Sequence, residues 1–240
     1  MRPDVLTLYR FYENALGRSA CPVIADKIVE LSRRKPGGIT VGIGYASPYL
    51  EEIDAREGDT NSRYLAFMPG QQGVCHWPSP TGCRTALVDE HQLPLGDSST
   101  DRVLLVHSLE HAGRPSHLLR EVWRVLAPGG QVIVVVPNRR RSWSAFEATP
   151  FGHGRPYSKG QLYGLMSEHM LPPSGWATAL MMPPFAWPGA ARLLAWGERP
   201  IGALGRNLGG ALIVSAQKQV YGALPTTAKK LQPMPALSGP

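Results

Sequence analysis

The sequence predicts one α/β domain built on a mostly parallel sheet, with helices covering both faces. Short apolar or β-branched runs alternate with stretches of helical period along most of the 240 residues, and that alternation is what a parallel sheet requires. The run Val132 to Val136 is apolar at every position, as a strand covered on both faces tends to be. Between it and the run Val103 to His107 lies a helical stretch, so the three form a strand-helix-strand crossover.

The elements follow in order. Val5 to Leu16 brings Leu8, Tyr9, Tyr12 and Leu16 near one face, and Cys21 to Arg34 does the same with Ile24, Ile28 and Leu31. Two helices are expected, the second ended by Pro36-Gly37-Gly38. Ile39 to Ile43 reads as a buried strand, and Ser47-Pro48 as a helix cap followed by proline at the first helical position. Tyr64 to Met68, Thr85 to Val88, Val103 to His107 and Val132 to Val136 read as further strands. Pro115 to Leu126 is a helix with Leu118, Leu119, Val122, Trp123 and Leu126 on one side, closed by Pro128-Gly129-Gly130. A helix over Ser158 to His169, a strand over Trp176 to Met182, a short helix over Ala190 to Trp196 and a strand over Ala211 to Ala216 complete the pattern. One domain therefore spans residues 1–220: N-terminal helices in 1–36, a core in 38–137 and a cover with the last strands in 138–220. The proline-rich stretch 221–240 is expected to be disordered.

Composition narrows the setting. A hydrophobic content of 43% supplies a sizeable core, and a net charge of +7 favours anionic partners without choosing among them. The clusters Arg33-Arg34-Lys35, Arg139-Arg140-Arg141 and Lys229-Lys230 lack the interleaved aromatics of a single-strand binding platform and read as solvated charge. Three cysteines, Cys21, Cys75 and Cys83, are an odd number with no apolar signal segment before them, which points to a reducing cytoplasm. Cys75-His76 with Cys83 is one loose group where a structural zinc site needs two pairs, so no metal is expected. Leu171 to Ala191 is free of charge and long enough to cross a bilayer as a helix. Pro172, Pro173, Pro183, Pro184 and Pro188 forbid that helix. A strand with an irregular cover is expected, peripheral membrane contact through Trp176, Trp187 and Trp196 being the lesser alternative.

Three segments carry the chemistry. Gly42-Ile43-Gly44-Tyr45-Ala46 follows the first strand. Val88-Asp89-Glu90-His91-Gln92-Leu93-Pro94-Leu95 holds a Leu-Pro step. Ser98 to Val103 then leads into "LLVHSLEH" and a helix ending "VLAPGG". Over residues 38–137 this order resembles the class I S-adenosylmethionine-dependent methyltransferases, within them the small-molecule group typified by the ubiquinone and menaquinone enzymes. The resemblance implies a Rossmann-like, mostly parallel seven-stranded sheet and S-adenosylmethionine as cofactor. It implies that Gly42, Gly44, Tyr45 and Ala46 meet the methionine end, that Asp89 accepts from the adenine amino group with Gln92 and Leu93 close by, and that His107, Ser108 and Leu109 line the methyl-donor side.

Several positions depart from that pattern. Relatives carry an acidic residue where Gly42 stands and glycines where Ala46 and Pro48 stand. They carry an acidic ribose ligand after the second strand, where this chain reads "RYLAFMPGQQG" and offers only Gln71 or Gln72. A dinucleotide site is disfavoured, because Ser47 replaces the third glycine of Gly-x-Gly-x-x-Gly and no acidic ribose ligand follows.

Methyl transfer depends chiefly on alignment, and a base is needed only for a protonated acceptor. His107 and His111 are the candidate acid or base groups at the strand end. Arg139, Arg140, His153 and Tyr157 lie in the loop after the fifth strand, where specificity loops sit, and are candidate contacts for an acceptor, an anionic one suiting the arginines. The expected function is methyl transfer to a small molecule. Two alternatives stand beside it: a non-catalytic module on the same fold, given the missing carboxylates, and an RNA methyltransferase, given the basic balance.

Overall fold

The structure is a computed structural model that describes residues 2–33, 35–79, 82–139, 142–181 and 209–220. The apolar runs pair into one sheet: β1 (Ile39–Gly44), β2 (Arg63–Pro69), β3 (Thr85–Val88), β4 (Thr100–Val106), β5 (Leu126–Pro137), β6 (Pro173–Ala179) and β7 (Ala211–Gln217). Their spatial order is 3-2-1-4-5-7-6. The first five run parallel, and β7 lies antiparallel to both β5 and β6. A small hairpin pairs Pro78–Ser79 with Gly82–Cys83 beside β3.

Strand period 2 divides the core between two faces. Leu104, Val106, Ile133 and Val135 pack under the N-terminal helices α1 (Val5–Glu13) and α2 (Ala15–Leu31) and under α3 (Ser47–Glu57). Val103, Leu105, Val132 and Val134 pack under α4 (Pro115–Val125) and α5 (Lys159–Glu168). At the amino end of the sheet Arg102 is clamped on Glu57, with N–O distances of 2.6 and 2.9 Å, and its Nε donates to Thr40.

Four local expectations change. The first helix stops at Glu13 because Asn14 takes an extended conformation and caps α2 through Gly17 N, so Leu16 belongs to the second helix and Tyr9 is half exposed. The second helix starts at Ala15 and runs through Pro22, at the cost of one intrahelical hydrogen bond. Ser47 is not the cap of α3: Ala46 is, without a side-chain bond, and Ser47 is already helical. Pro128-Gly129-Gly130 does not close α4, which ends at Val125; it bulges out of β5, where the register jumps between Thr100 and Arg102. The expected helix over Ala190 to Trp196, with Trp187, Trp196 and the stretch 221–240, lies outside the described residues. Among the described residues no helix is long and apolar enough to cross a membrane.

Candidate active site at the carboxyl rim

Parallel strands deliver their carboxyl ends to one rim, and the turn after β1 is its centre. Gly44 has φ +93, and a Cβ there would lie 2.1 Å from Val106 O, so only glycine lets β1 press against β4 at this point. Tyr45 N then donates to Val106 O at 2.9 Å. Ala46 sits at φ -94, ψ -9, an ordinary helical region that costs an alanine nothing. Its methyl has a consequence for Gly42, because a Cβ on Gly42 would lie 2.5 Å from Ala46 Cβ and 3.0 Å from Leu50 Cδ1. No side chain fits at position 42 while Ala46 is present.

Aromatic groups fill the space above this turn. Tyr12, reaching in from α1, stacks on Tyr45 with ring centroids 5.6 Å apart. Its hydroxyl is 2.7 Å from Tyr49 Oη and 2.7 Å from His107 Nε2. Phe151 packs edge-on against His107 at 5.0 Å and against Trp143 at 5.7 Å. Burial pushes the phenols of Tyr12, Tyr45 and Tyr49 well above their ordinary range, so at neutral pH they act as uncharged hydrogen-bonding groups. A groove of about 410 Å³ opens beside the turn, bordered by Tyr9, Tyr45, Ser47, Pro48 and Trp77.

The N-terminal segment crosses the same rim. Arg2 makes a 2.6 Å ion pair with Glu90 at the end of β3 and lies 3.5 Å from Ser108 O at the end of β4. Val5 N donates to Gln72 O just beyond β2. Near this strap several buried polar atoms have no hydrogen-bond partner, namely both amide atoms of Gln72 and Oγ of Ser47 and Ser108, while Nδ1 of His107 and Oε1 of Glu110 meet only each other, at 3.4 Å. An unmet buried polar group costs about 1–3 kcal/mol, so these atoms have hydrogen bonds left to make at the rim.

The structure sorts the expected site residues. Gln71 is exposed, whereas Gln72 is 2% exposed and turned inward. Asp89 is exposed and spends Oδ1 on His91 N; its neighbour Glu90 faces the rim. Gln92 is exposed, and Leu93 is buried with its N–H on Glu121. His107, Ser108 and Leu109 are all buried at the end of β4. His111 is half-buried, and burial lowers its pKa to about 4, leaving a neutral imidazole at pH 7. Burial opposes the charge on Glu110, but the His107 and His111 imidazoles outweigh it and hold the carboxyl below its usual range. Tyr157 is brought to within 3.5 Å of Leu109 O, and burial raises its phenol. His153 is half-buried on the same loop, and Arg139 is exposed. Arg140 and Arg141 lie outside the described residues.

Sequence reasoning missed Arg2, Tyr12, Tyr49, Glu90 and Phe151 as parts of the rim. Glu90 is adjacent to the residue chosen, and only the turn geometry decides which of the pair faces inward. Tyr12 was legible as a buried position on α1 but not as one aimed at β4, since nothing local fixes how the helix docks.

The sequence profile of the methyltransferase domain family matches residues 41–134. No curated protein matches the sequence. Solved structures are similar in fold. A protein of Thermotoga maritima, described as a SAM-dependent methyltransferase and possible histamine N-methyltransferase, has a TM-score of 0.60 at 18% identity, covering 90% of this chain and 96% of that one. A putative methyltransferase of Haloferax volcanii, in complex with the Trm112 activator, has 0.57 at 16%, covering 89% and 98%. The geranyl diphosphate C-methyltransferase of Streptomyces coelicolor A3(2), solved with Mg2+, geranyl diphosphate and S-adenosyl-L-homocysteine, has 0.56 at 13%, covering 82% and 77%. These likenesses and the strand order establish the class I methyltransferase fold.

Proposed function

We propose that this chain, a class I methyltransferase fold with a methyltransferase domain over residues 41–134, binds S-adenosylmethionine at the carboxyl rim and methylates a small molecule. The observation that carries the reading is the buried, doubly unpartnered amide of Gln72 just beyond β2, the strand after which the family resemblance expects the ribose ligand. The donor set fits the adenosyl half: Gln72 offers a donor and an acceptor to ribose hydroxyls, and Glu90, more than the exposed Asp89, offers a carboxylate to the adenine amino group. The methionyl half falls to Gly42, Gly44, Tyr45 and Ala46 on one side and to His107, Ser108 and Leu109 on the other.

The cofactor supplies an electrophilic methyl on a sulfonium centre; the residues of this chain bind, align and keep water out. The space it needs is held by Arg2 and Tyr12, both carried by the N-terminal segment, so binding requires that segment to shift. Tyr157 and His153, with Arg139, are the acceptor-side candidates, and the ubiquinone and menaquinone enzymes that the sequence resembles are one chemical guide. His111, neutral at pH 7, is free to take a proton but is a weak base at a pKa of about 4.

The filled rim favours a second reading, a non-catalytic module that keeps the fold and has replaced the ligand by its own tyrosines. Titration calorimetry with S-adenosylmethionine and S-adenosylhomocysteine separates the two. Binding by the full chain, weakened by Gln72→Met, supports the enzyme. No heat at millimolar ligand, in both the wild type and a Tyr12→Ala variant that unblocks the rim, leaves the module.

A further inference from the structure

The turn that follows β4 gathers two imidazoles and a carboxylate at close quarters. Ligand atoms of His107, Glu110 and His111 all lie within 4.8 Å of one another. Each of the three residues has a buried atom with no hydrogen-bond partner: His107 Nδ1, Glu110 Oε1 and His111 Nε2. His107 and Glu110 are 1% and 2% exposed, and His107 Nδ1 stands 3.4 Å from Glu110 Oε1, a long ion-pair distance. His107 Nδ1 and Glu110 Oε1 meet each other only at the long distance of 3.4 Å, so a cation among the two imidazoles and the carboxylate would satisfy all three better than they satisfy one another.

The local backbone enforces the arrangement. His107 holds φ 49, a left-handed conformation that few residues other than glycine adopt. His111 N bonds to Ser108 O at 3.0 Å, curling the chain so that positions 107, 110 and 111 share a side. Gly154 lies so close to the His111 ring that a Cβ there would be 2.8 Å from its Nδ1, and Arg155 N fastens that loop to Glu110 O. The far side of His107 is also committed, because Nε2 is 2.7 Å from Tyr12 Oη, which in turn meets Tyr49 Oη. If Nε2 carries the proton and donates to Tyr12, Nδ1 is left as a bare acceptor, which is the outer-shell pattern that orients a histidine on a metal. Arg2 faces this turn from the strap, with its charge already matched by Glu90.

We infer that His107, Glu110 and His111 form a binding site for a divalent transition-metal cation of the zinc class. Two imidazole nitrogens and one carboxylate oxygen are the donor set that such ions prefer over magnesium or calcium. Metal bonds of about 2.0–2.2 Å need the three atoms to close by roughly an ångström from their present spacing, a movement within side-chain reach. The site is distinct from the cysteine loop: Cys75 and Cys83 belong to the segment beside β3 and supply none of its atoms.

The test uses the full chain, stripped with a chelator and dialysed, then titrated with Zn2+ by calorimetry and with Co2+ followed by visible absorption. One equivalent of each should bind, with Co2+ showing d–d bands and no thiolate charge-transfer band. Even outer-shell partners of a metal are worth about ten- to a hundredfold in affinity, so His111→Ala and Glu110→Gln should weaken binding by more than that, and Tyr12→Phe by about tenfold. A Cys75→Ser, Cys83→Ser double variant should bind unchanged. Failure of the wild type to bind either ion overturns the inference. So does a thiolate band, or binding abolished by the cysteine substitutions and kept in His111→Ala. The cobalt spectrum of the wild type decides the donor set even where a histidine variant does not fold.

Discussion

Replacing Gln72 by methionine should make the protein more stable and a poorer binder. The side chain is 2% exposed, and neither its amide nitrogen nor its amide oxygen has a partner. An unmet buried polar group costs about 1–3 kcal/mol, and partial relaxation makes ~2 kcal/mol a fair value for the pair. Methionine has nearly the same length and no such debt. The backbone bonds are untouched, because Gln72 N still donates to Pro69 O and Gln72 O still accepts from Val5 N, both at 2.8 Å. For a chain of this size each kcal/mol moves Tm by about 2–4 °C, so a rise of about 4–8 °C is expected in a thermal melt. The same variant should bind S-adenosylhomocysteine about tenfold more weakly, the loss of one to two hydrogen bonds. A lower Tm together with unchanged affinity would show that the amide serves the fold and not a ligand.

Arg2→Ala removes the latch on Glu90, whose charge-assisted bond is worth about 1.5–3 kcal/mol, so calorimetry should show S-adenosylhomocysteine binding at least about tenfold tighter; weaker binding speaks against a strap that competes with the cofactor. Arg102→Met removes the guanidinium from the buried Glu57 carboxylate, which keeps the Tyr64 hydroxyl at 3.1 Å, and should cost about 3 kcal/mol in urea unfolding, with Glu57→Leu in the same chain restoring part of it. If the double variant is no better than the single, the clamp is not the source of the loss. Asp101 sets the acid limb of stability. Burial opposes its charge, but Lys35 Nζ at 2.5 Å and Ile39 N–H at 2.9 Å outweigh it and hold the carboxyl below its usual range. Its contribution is therefore present above the ordinary carboxylate pKa and is lost as pH falls through the lowered folded value. Melts of Asp101→Asn across that range should fall less steeply than the wild type, and parallel curves count against the assignment.

The sheet was legible because strands buried on both faces are written as unbroken apolar runs, and β5 is the plainest example. Element ends were less so: Asn14 and Pro22 carry opposite local signals, and packing of α2 against α3 and β6, not propensity, lets the helix run through the proline. At the rim, the sequence located the strand ends but not which of two neighbours points inward, as Gln71 against Gln72 and Asp89 against Glu90 demonstrate. That choice depends on how each turn leaves its strand, by tens of degrees of backbone rotation that composition does not encode. The docking of Tyr12 and Phe151 at the rim was not legible for another reason, since both arrive from distant segments.

The contact between Gly42 and Ala46 makes these two positions historically dependent on each other. With Ala46 Cβ 2.5 Å from where a Cβ on Gly42 would stand, an acidic residue cannot be installed at 42 first. Ala46→Gly has to precede it, so any route between this glycine turn and an acidic one runs through a double-glycine intermediate, and each single step must be judged in the background of the other.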